Sequence, residues 1–296
     1  MNKAILSRKL LNLPVRINQI VSQLPYRGRA WWINNIIRHP VWYTDQFQIK
    51  SQLRPHENIQ HTLATHSHFD DLGTIALIQQ LLKTGMTVFD VGAAKGIFSL
   101  HAAKLVAPGG QVHAFEPGTY AVTLLRDNLA VSSQYSEIIT VNQAAVSDVD
   151  GEARLNVFPP AFSDWNTLGQ PAAEFRQAIR DANITTEITT VVTLDSYCET
   201  HEIQFIDLLK IDVEGYEIEV MQGASKLLSE DRIRYILFEI SLVPLEAKSR
   251  TARQVLDIFY ASNFRVSQIM ENGQLLTVEA SNASVPHFAN YLAYKV

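Results

Sequence analysis

Asp90-Val91-Gly92-Ala93-Ala94-Lys95-Gly96 is a glycine loop between two regular elements. Thr87–Val91 ahead of it is a short apolar run suited to a buried strand, and Phe98–Leu105 behind it has helical spacing. Glycine turns sharply and lets backbone approach a ligand with no Cβ in the way. The helix that follows presents free N–H groups to the ligand's polar atoms. The dinucleotide fingerprint G-x-G-x-x-G fails here on spacing, because Gly92 and Gly96 are separated by three residues. Asp90 at the loop's start would repel a pyrophosphate but suits a ligand carrying an ammonium group. Glu116 ends the next strand, about twenty residues past Gly96, where an acid accepts both hydroxyls of a ribose. Taken alone the glycines could serve a plain strand–helix turn; with Glu116 they point to S-adenosylmethionine.

Outward from the loop, apolar runs alternate with helical stretches from about Thr84 onward. Strands are expected at Thr87–Val91, Gln111–Phe115, Ile138–Asn142 (running on to Ala145 and Val146), Ile206–Ile211, Tyr235–Ile240, Arg265–Ile269 and Tyr291–Val296. Helices are expected at Leu72–Leu82, Tyr120–Val131, Tyr216–Leu228 and Ala252–Ala261. This is an α/β class chain: a Rossmann-like seven-stranded sheet with helices on both faces, plus an N-terminal, mostly helical extension. The expected division is an extension over 1–70 and a sheet domain over 71–296, interrupted by an insertion at about 150–200. The insertion holds a hairpin strand Ala153–Val157, a polar helix near Ala172–Ala182 and a β-rich run Ile188–Leu194. Its Phe162–Asn166 segment is a candidate cover for an acceptor pocket.

Of the 296 residues, 47% are apolar and 19% charged, an ordinary globular balance, and the net charge of −5 gives no reason to expect nucleic acid as a partner. Cys198 is the only cysteine, which excludes an intrachain disulfide and a cysteine-rich metal site. No apolar run reaches the ~20 residues of a membrane span, and no secretory h-region is seen, so a cytoplasmic location is expected. Residues 1–44 hold Lys3, Arg8, Lys9, Arg16, Arg27, Arg29 and Arg38 and no acid. With Trp31, Trp32 and Trp42, this basic stretch could touch an anionic membrane surface, cap the sheet domain or form a homo-oligomer interface. Packing or an interface is preferred, since no long uninterrupted amphipathic helix is present.

The chain resembles the FkbM-family methyltransferases. The resemblance is carried, in family order, by VFDVGAAKGIFSLHAAK (88–104), VHAFEP (112–117), LLRDNLA (124–130), VNQAAVSDVDGEARL (141–155), VTLDSY (192–197), DLLKIDVEGYEIEVMQGASKLL (207–228) and ILFEIS (236–241). It implies transfer of a methyl group from S-adenosylmethionine to a hydroxyl, on a sugar or sugar-like natural product. It implies that Asp90, Gly92 and Gly96 hold the methionine part, Glu116 the ribose, and that Asp148 lies near the adenine. Ala93, Phe98, Pro117 and Val146 complete the candidate cofactor set. Ala94 and Gly118 stand where the family often has Asn.

An aliphatic hydroxyl is a poor nucleophile and needs a base or a metal to take its proton. In open α/β sheets such groups sit at the carboxyl ends of strands. Lys210, Asp212 and Glu214 leave one strand there and Glu239 ends the next; these four are the catalytic candidates. Asp212 or Glu239 could act as general base, or the two could hold Mg²⁺. Glu214 could equally cap the following helix. The alternative function is a non-catalytic cofactor-binding or scaffold protein that kept the fold. His66-Ser67-His68-Phe69-Asp70-Asp71 resembles part of a metallo-β-lactamase signature, but Asp71 replaces its last histidine, and no metal is expected there.

Overall fold

Five apolar runs pair in parallel because helices return the chain to the same edge each time. The structure is a computed structural model and describes residues 41–45, 47–53, 72–179, 183–278 and 286–295. In chain order these form strands β1 (Val41–Thr44) and β2 (Lys50–Leu53), helix α1 (Leu72–Leu81), β3 (Thr87–Val91), α2 (Ile97–Val106), β4 (Gln111–Phe115), α3 (Thr119–Val131), β5 (Ile139–Asn142) and β6 (Ala144–Val146). There follow β7 (Gly151–Val157), α4 (Ala173–Ala178), β8 (Thr185–Val192), α5 (Leu194–Thr200), β9 (Ile206–Ile211), α6 (Glu217–Gln222) and α7 (Ser225–Ser229). The chain continues through β10 (Ile233–Ser241), α8 (Leu242–Ala247), α9 (Ala252–Ala261), β11 (Arg265–Ile269), β12 (Leu275–Thr277) and β13 (Phe288–Tyr294).

The main sheet has the order β12-β11-β13-β10-β9-β3-β4-β5. From β10 to β5 the pairs are parallel; β13 runs antiparallel to both β10 and β11. The seven expected strands all lie in it, and β12 is an eighth, folded back on β11 at the sheet's edge. Each face has its own core, as the near-continuous apolar runs require. On one side Phe89, Leu209 and Phe238 pack with Met221 of α6 and Phe259 of α9. On the other Val88, Leu208 and Leu237 pack with Ile78 of α1 and Leu100 of α2. Phe238 stacks on both Phe259 and Tyr291, at centroid separations of 4.2 and 5.5 Å; such contacts add about 1 kcal/mol each beyond burial.

Several readings are corrected. The third strand does not run on into Ala145: the chain leaves the main sheet after Asn142, and β6 joins a second sheet of order β6-β8-β7. The end of the β-rich run is helical instead, because the Thr193 hydroxyl accepts from the Ser196 N–H and caps α5. The expected helix 216–228 breaks at Gly223, where the Ser147 carbonyl packs too closely for a Cβ. The described part of 1–70 is a β-hairpin, not helix, consistent with the aromatic and β-branched run Val41-Trp42-Tyr43-Thr44. The helical stripes, Trp31, Trp32 and the His66–Asp71 segment lie outside the described residues. Among the described residues no helix is long and apolar enough to cross a membrane.

Candidate functional site

Side chains alternate across a strand, so register decides which of them meet. Asp90 on β3 is the register partner of Lys210 on β9, and Lys210 is in turn the partner of Leu237 on β10. Two residues further along, Asp212 and Glu239 therefore come to neighbouring strand ends on the same face. Glu239 is itself paired with Asn290 of β13. A row of polar groups thus follows the carboxyl edge from β4 to β13.

Asp90 is fully buried, accepts from the Ser99 hydroxyl at 2.6 Å and is ion-paired with Lys210 at 3.3 Å. Asp90 does not itself line the cavity described below; its partner Lys210 does. The Lys210 ammonium also donates to the Gly92 carbonyl at 3.2 Å and to Asp212 at 3.1 Å. Burial would lower its pKa, but the carboxylates of Asp212 and Asp90 outweigh burial and hold it above its ordinary value. Lys210 is therefore a fixed cation that ties the glycine loop to β9, not a proton acceptor. It sits 5.6 Å from the centroid of the Phe98 ring.

Gly92 has φ +80°, and a Cβ there would stand 1.7 Å from the Asp212 carbonyl oxygen. A Cβ on Gly96 would meet Leu125 at 2.8 Å. Packing within the protein therefore already requires both glycines. The loop is held further by the Gly92 and Ala93 N–H groups, which donate to Phe115 O at 3.0 and 2.9 Å. Asn128 of α3, which the sequence reading missed, is buried and donates to Lys95 O at 2.9 Å while accepting from the Gln52 N–H at 2.7 Å. An amide on the otherwise apolar buried face of this helix was its signal, since such a group needs partners.

Glu116 accepts from the N–H groups of Ala94 and Gly118, at 2.9 and 2.8 Å. Burial raises its carboxyl to about 7, against the lowering effect of those two hydrogen bonds; Asp164 and Asp90 add to the rise. Burial likewise pushes Glu214 and Glu239 well above the carboxylate range, with Asp212 as the next contributor for each. Glu214 holds a left-handed φ of +51°, a strained backbone for a side chain of its size.

A cavity of about 980 Å³ opens along this edge. Gly92, Ala93, Phe98, Glu116, Pro117 and Val146 line it, as do Lys210, Asp212, Glu214 and Glu239. Asp148 does not: it is exposed on an adjoining depression with Arg154, which shares Leu168 and Tyr216 with the cavity. The physical reason is that β6 pairs with β8, and Ser147 N continues that ladder to Val192 O, carrying Asp148 away from the main sheet's edge. The segment Ser163–Leu168 lines the cavity, but beside Glu116: Asn166 Nδ2 comes within 2.7 Å of where a Gly118 Cβ would lie. It runs from the glycine-loop end to Glu214, whose carbonyl accepts from the Thr167 hydroxyl at 3.4 Å.

Among the described residues the wall carries Glu116, Asp164, Asp212, Glu214, Glu239 and Glu271 against Lys95 and Lys210. Such a wall fits a cationic ligand with a diol, which describes S-adenosylmethionine. A protein-held Mg²⁺ fits less well. Among the described residues no three His, Cys, Asp or Glu side chains come together as metal ligands, and Asp212 is already paired with Lys210.

The family model described as "Methyltransferase FkbM domain" matches residues 90–266. The 31-O-demethyl-FK506 methyltransferase FkbM of Streptomyces tacrolimicus is 34% identical over 179 residues, covering 54% of this chain and 66% of that protein, just under two thirds. The 2-O-methyltransferase NoeI of Sinorhizobium fredii is 26% identical over 193 residues, covering 62% and 74% respectively. Among solved structures, the methyltransferase FkbM of Methylobacillus flagellatus aligns with TM-score 0.47 and 13% identity, over 94% of this chain and 58% of that one. An O-methyltransferase of Thermotoga maritima aligns with TM-score 0.43 and 14% identity, over 88% and 78%. The family match begins at Asp90 and runs through the glycine loop, β9 and β10 to β11, over more than half of the chain, which therefore belongs to the FkbM family of S-adenosylmethionine-dependent methyltransferases.

Proposed function

We propose that this protein is an O-methyltransferase whose acceptor is a hydroxyl on a sugar or another polyhydroxylated small molecule. The observation that carries the reading is the single acidic cavity in which the glycine loop and Glu116 share a wall with Asp212 and Glu239. The names of the two relatives given above both refer to an oxygen position, 31-O and 2-O.

S-adenosylmethionine, when bound, supplies a methyl group made electrophilic by its sulfonium. The chain's own work is to hold the reactants in line and accept the acceptor's proton. In this reading Gly92 to Lys95 and Glu116 bind and orient the cofactor. Lys210 locks the loop against β9 and keeps Asp212 in place. Glu239 takes the proton from the acceptor hydroxyl: a carboxyl raised by burial is the stronger base once ionised, whereas Asp212 is neutralised by Lys210. Glu214, beside them, is a buried carboxyl raised well above its ordinary range, and adds a polar group to the same wall. No step requires a protein-held metal.

Calorimetric titration with S-adenosylhomocysteine, with and without Mg²⁺, followed by label transfer from S-adenosylmethionine to a hydroxyl panel, tests this. Stoichiometric binding and label on oxygen are expected; an absence of binding in both conditions would remove the cofactor site. Glu239→Gln should lower turnover by about 10²–10⁴-fold while leaving homocysteine-product binding within about twofold of wild type. Full turnover in that variant would transfer the base role to Asp212.

A further inference from the structure

The cavity extends past Glu239 to a wall whose chemistry differs from the rest. The strands that follow along the carboxyl edge are β13 and β11. Two strand spacings amount to about 10 Å, room for one or two saturated rings. The wall there is formed by Gln268, Met270, Asn272, Gln274 and Phe288, with Glu271 among them. The amide residues Gln268, Asn272 and Gln274 and the aromatic Phe288 therefore line one end of a cavity whose other end is charged.

Three further facts bear on what this wall does. Phe288 is 57% exposed and Met270 40%, so two large apolar groups are left at a cavity mouth without being used for packing. The half-buried Gln268 amide has no hydrogen-bond partner among the described residues. And among the described residues this end carries Glu239 and Glu271 but no lysine or arginine. The wall is also held in place. Gly273, φ +78°, turns so close to α1 that a Cβ would lie 2.9 Å from the Ala76 methyl. Gly273 N donates to Met270 O at 2.8 Å, Met270 N to Gln274 O at 2.9 Å and Gln274 N to the Asn272 side-chain oxygen at 3.0 Å.

We propose that the β11–β12 turn and Phe288 form the acceptor subsite, and that it takes an uncharged ring bearing several hydroxyls while rejecting anionic acceptors such as sugar phosphates. This rests on reading the cavity as a methyl-transfer site. Amides both donate and accept, which suits hydroxyls, and Phe288 supplies a surface for the apolar face of the ring. An anion would meet Glu271 and, among the described residues of the β11–β12 turn, no lysine or arginine. Because the turn is seated on α1, the wall is ordered before the ligand arrives.

The test is saturation-transfer NMR on protein loaded with S-adenosylhomocysteine, the loading first checked by calorimetry, using methyl α-D-glucopyranoside and glucose 6-phosphate as probes. Signal from the neutral glycoside and none from the phosphate is expected. Phe288→Ala and Gln268→Ala should each weaken the glycoside about fivefold with the homocysteine product still bound. A phosphate signal equal to the glycoside's, a glycoside signal unchanged in both variants, or no glycoside signal from loaded protein overturns the subsite alone. Failure to load the protein overturns the methyl-transfer reading together with it.

Discussion

Glu116 is a proton-linked binding group. Its carboxyl sits near 7 because burial costs the anion more than two backbone hydrogen bonds return. A ribose diol is bound better by the ionised form, so binding must displace a proton when the pH is below that value. The affinity for S-adenosylhomocysteine should therefore fall about tenfold between pH 8 and pH 6, as calorimetry at the two pH values would read. Glu116→Gln should bind more weakly at pH 8 and lose this dependence. A pH-independent wild-type affinity would mean that Glu116 does not meet the ligand's polar groups. Glu217 offers the matching case for stability. It is buried, one oxygen accepts from the Gly215 N–H at 3.0 Å and the other has no partner among the described residues. Burial raises it to about 7, well above its ordinary 4.5. The penalty is absent below 4.5 and develops as pH rises towards 7, so Glu217→Gln should raise the melting temperature relative to wild type at pH 8 but not at pH 4.5. Equal shifts at both pH values would sink that assignment.

At the scale of elements, the glycine loop and the end of β9 are a single unit. Gly92→Ala would place a methyl group 1.7 Å from the Asp212 carbonyl oxygen. One element must then move, at a cost of several kcal/mol, and we expect lost S-adenosylhomocysteine binding and a lowered melting temperature together. Retention of both would contradict the packing described. The strands themselves were legible in the sequence, because parallel strands buried on both faces read as unbroken apolar runs such as Ile206–Ile211. The strand-end acids were legible too, since charge at the end of such a run stands out. What the sequence could not convey was register and departure. Asp90 lies on the same face as Lys210 and is consumed by it, while Asp148 leaves with the second sheet; both depend on pairing between residues far apart in the chain. The edge strand β12 was missed because three exposed residues, Leu275–Thr277, make no periodic pattern. The Met270–Gln274 wall was missed for a related reason: amides in a turn resemble any solvated loop.

For the whole molecule, the hairpin β1–β2 is joined to the cofactor loop through Asn128, which spans from the Gln52 N–H to the Lys95 carbonyl. The Asp45 carboxylate in the same hairpin lies 3.1 Å from the buried His101 imidazole on α2, and Lys104 donates to Phe47 O at 2.6 Å. The start of the described chain is thereby fastened to the two helices that flank the loop. Asn128→Ala removes two hydrogen bonds to part-buried backbone groups, which should cost about 1–2 kcal/mol and also weaken product binding. Thermal denaturation with and without S-adenosylhomocysteine separates the two effects; a stability loss with unchanged affinity would show that the link does not reach the loop.

One consequence lies in biosynthesis. β13 is inserted between β10 and β11, although both are synthesised before it. Until Phe288–Tyr294 has left the ribosome, β10 and β11 each present an unpaired edge, and Phe238 lacks its Tyr291 neighbour. The nascent chain thus carries open, apolar strand edges that favour association with other chains. A chain broken off before Phe288 would keep the whole cofactor loop and yet be recognised by the cell's quality control as unfinished.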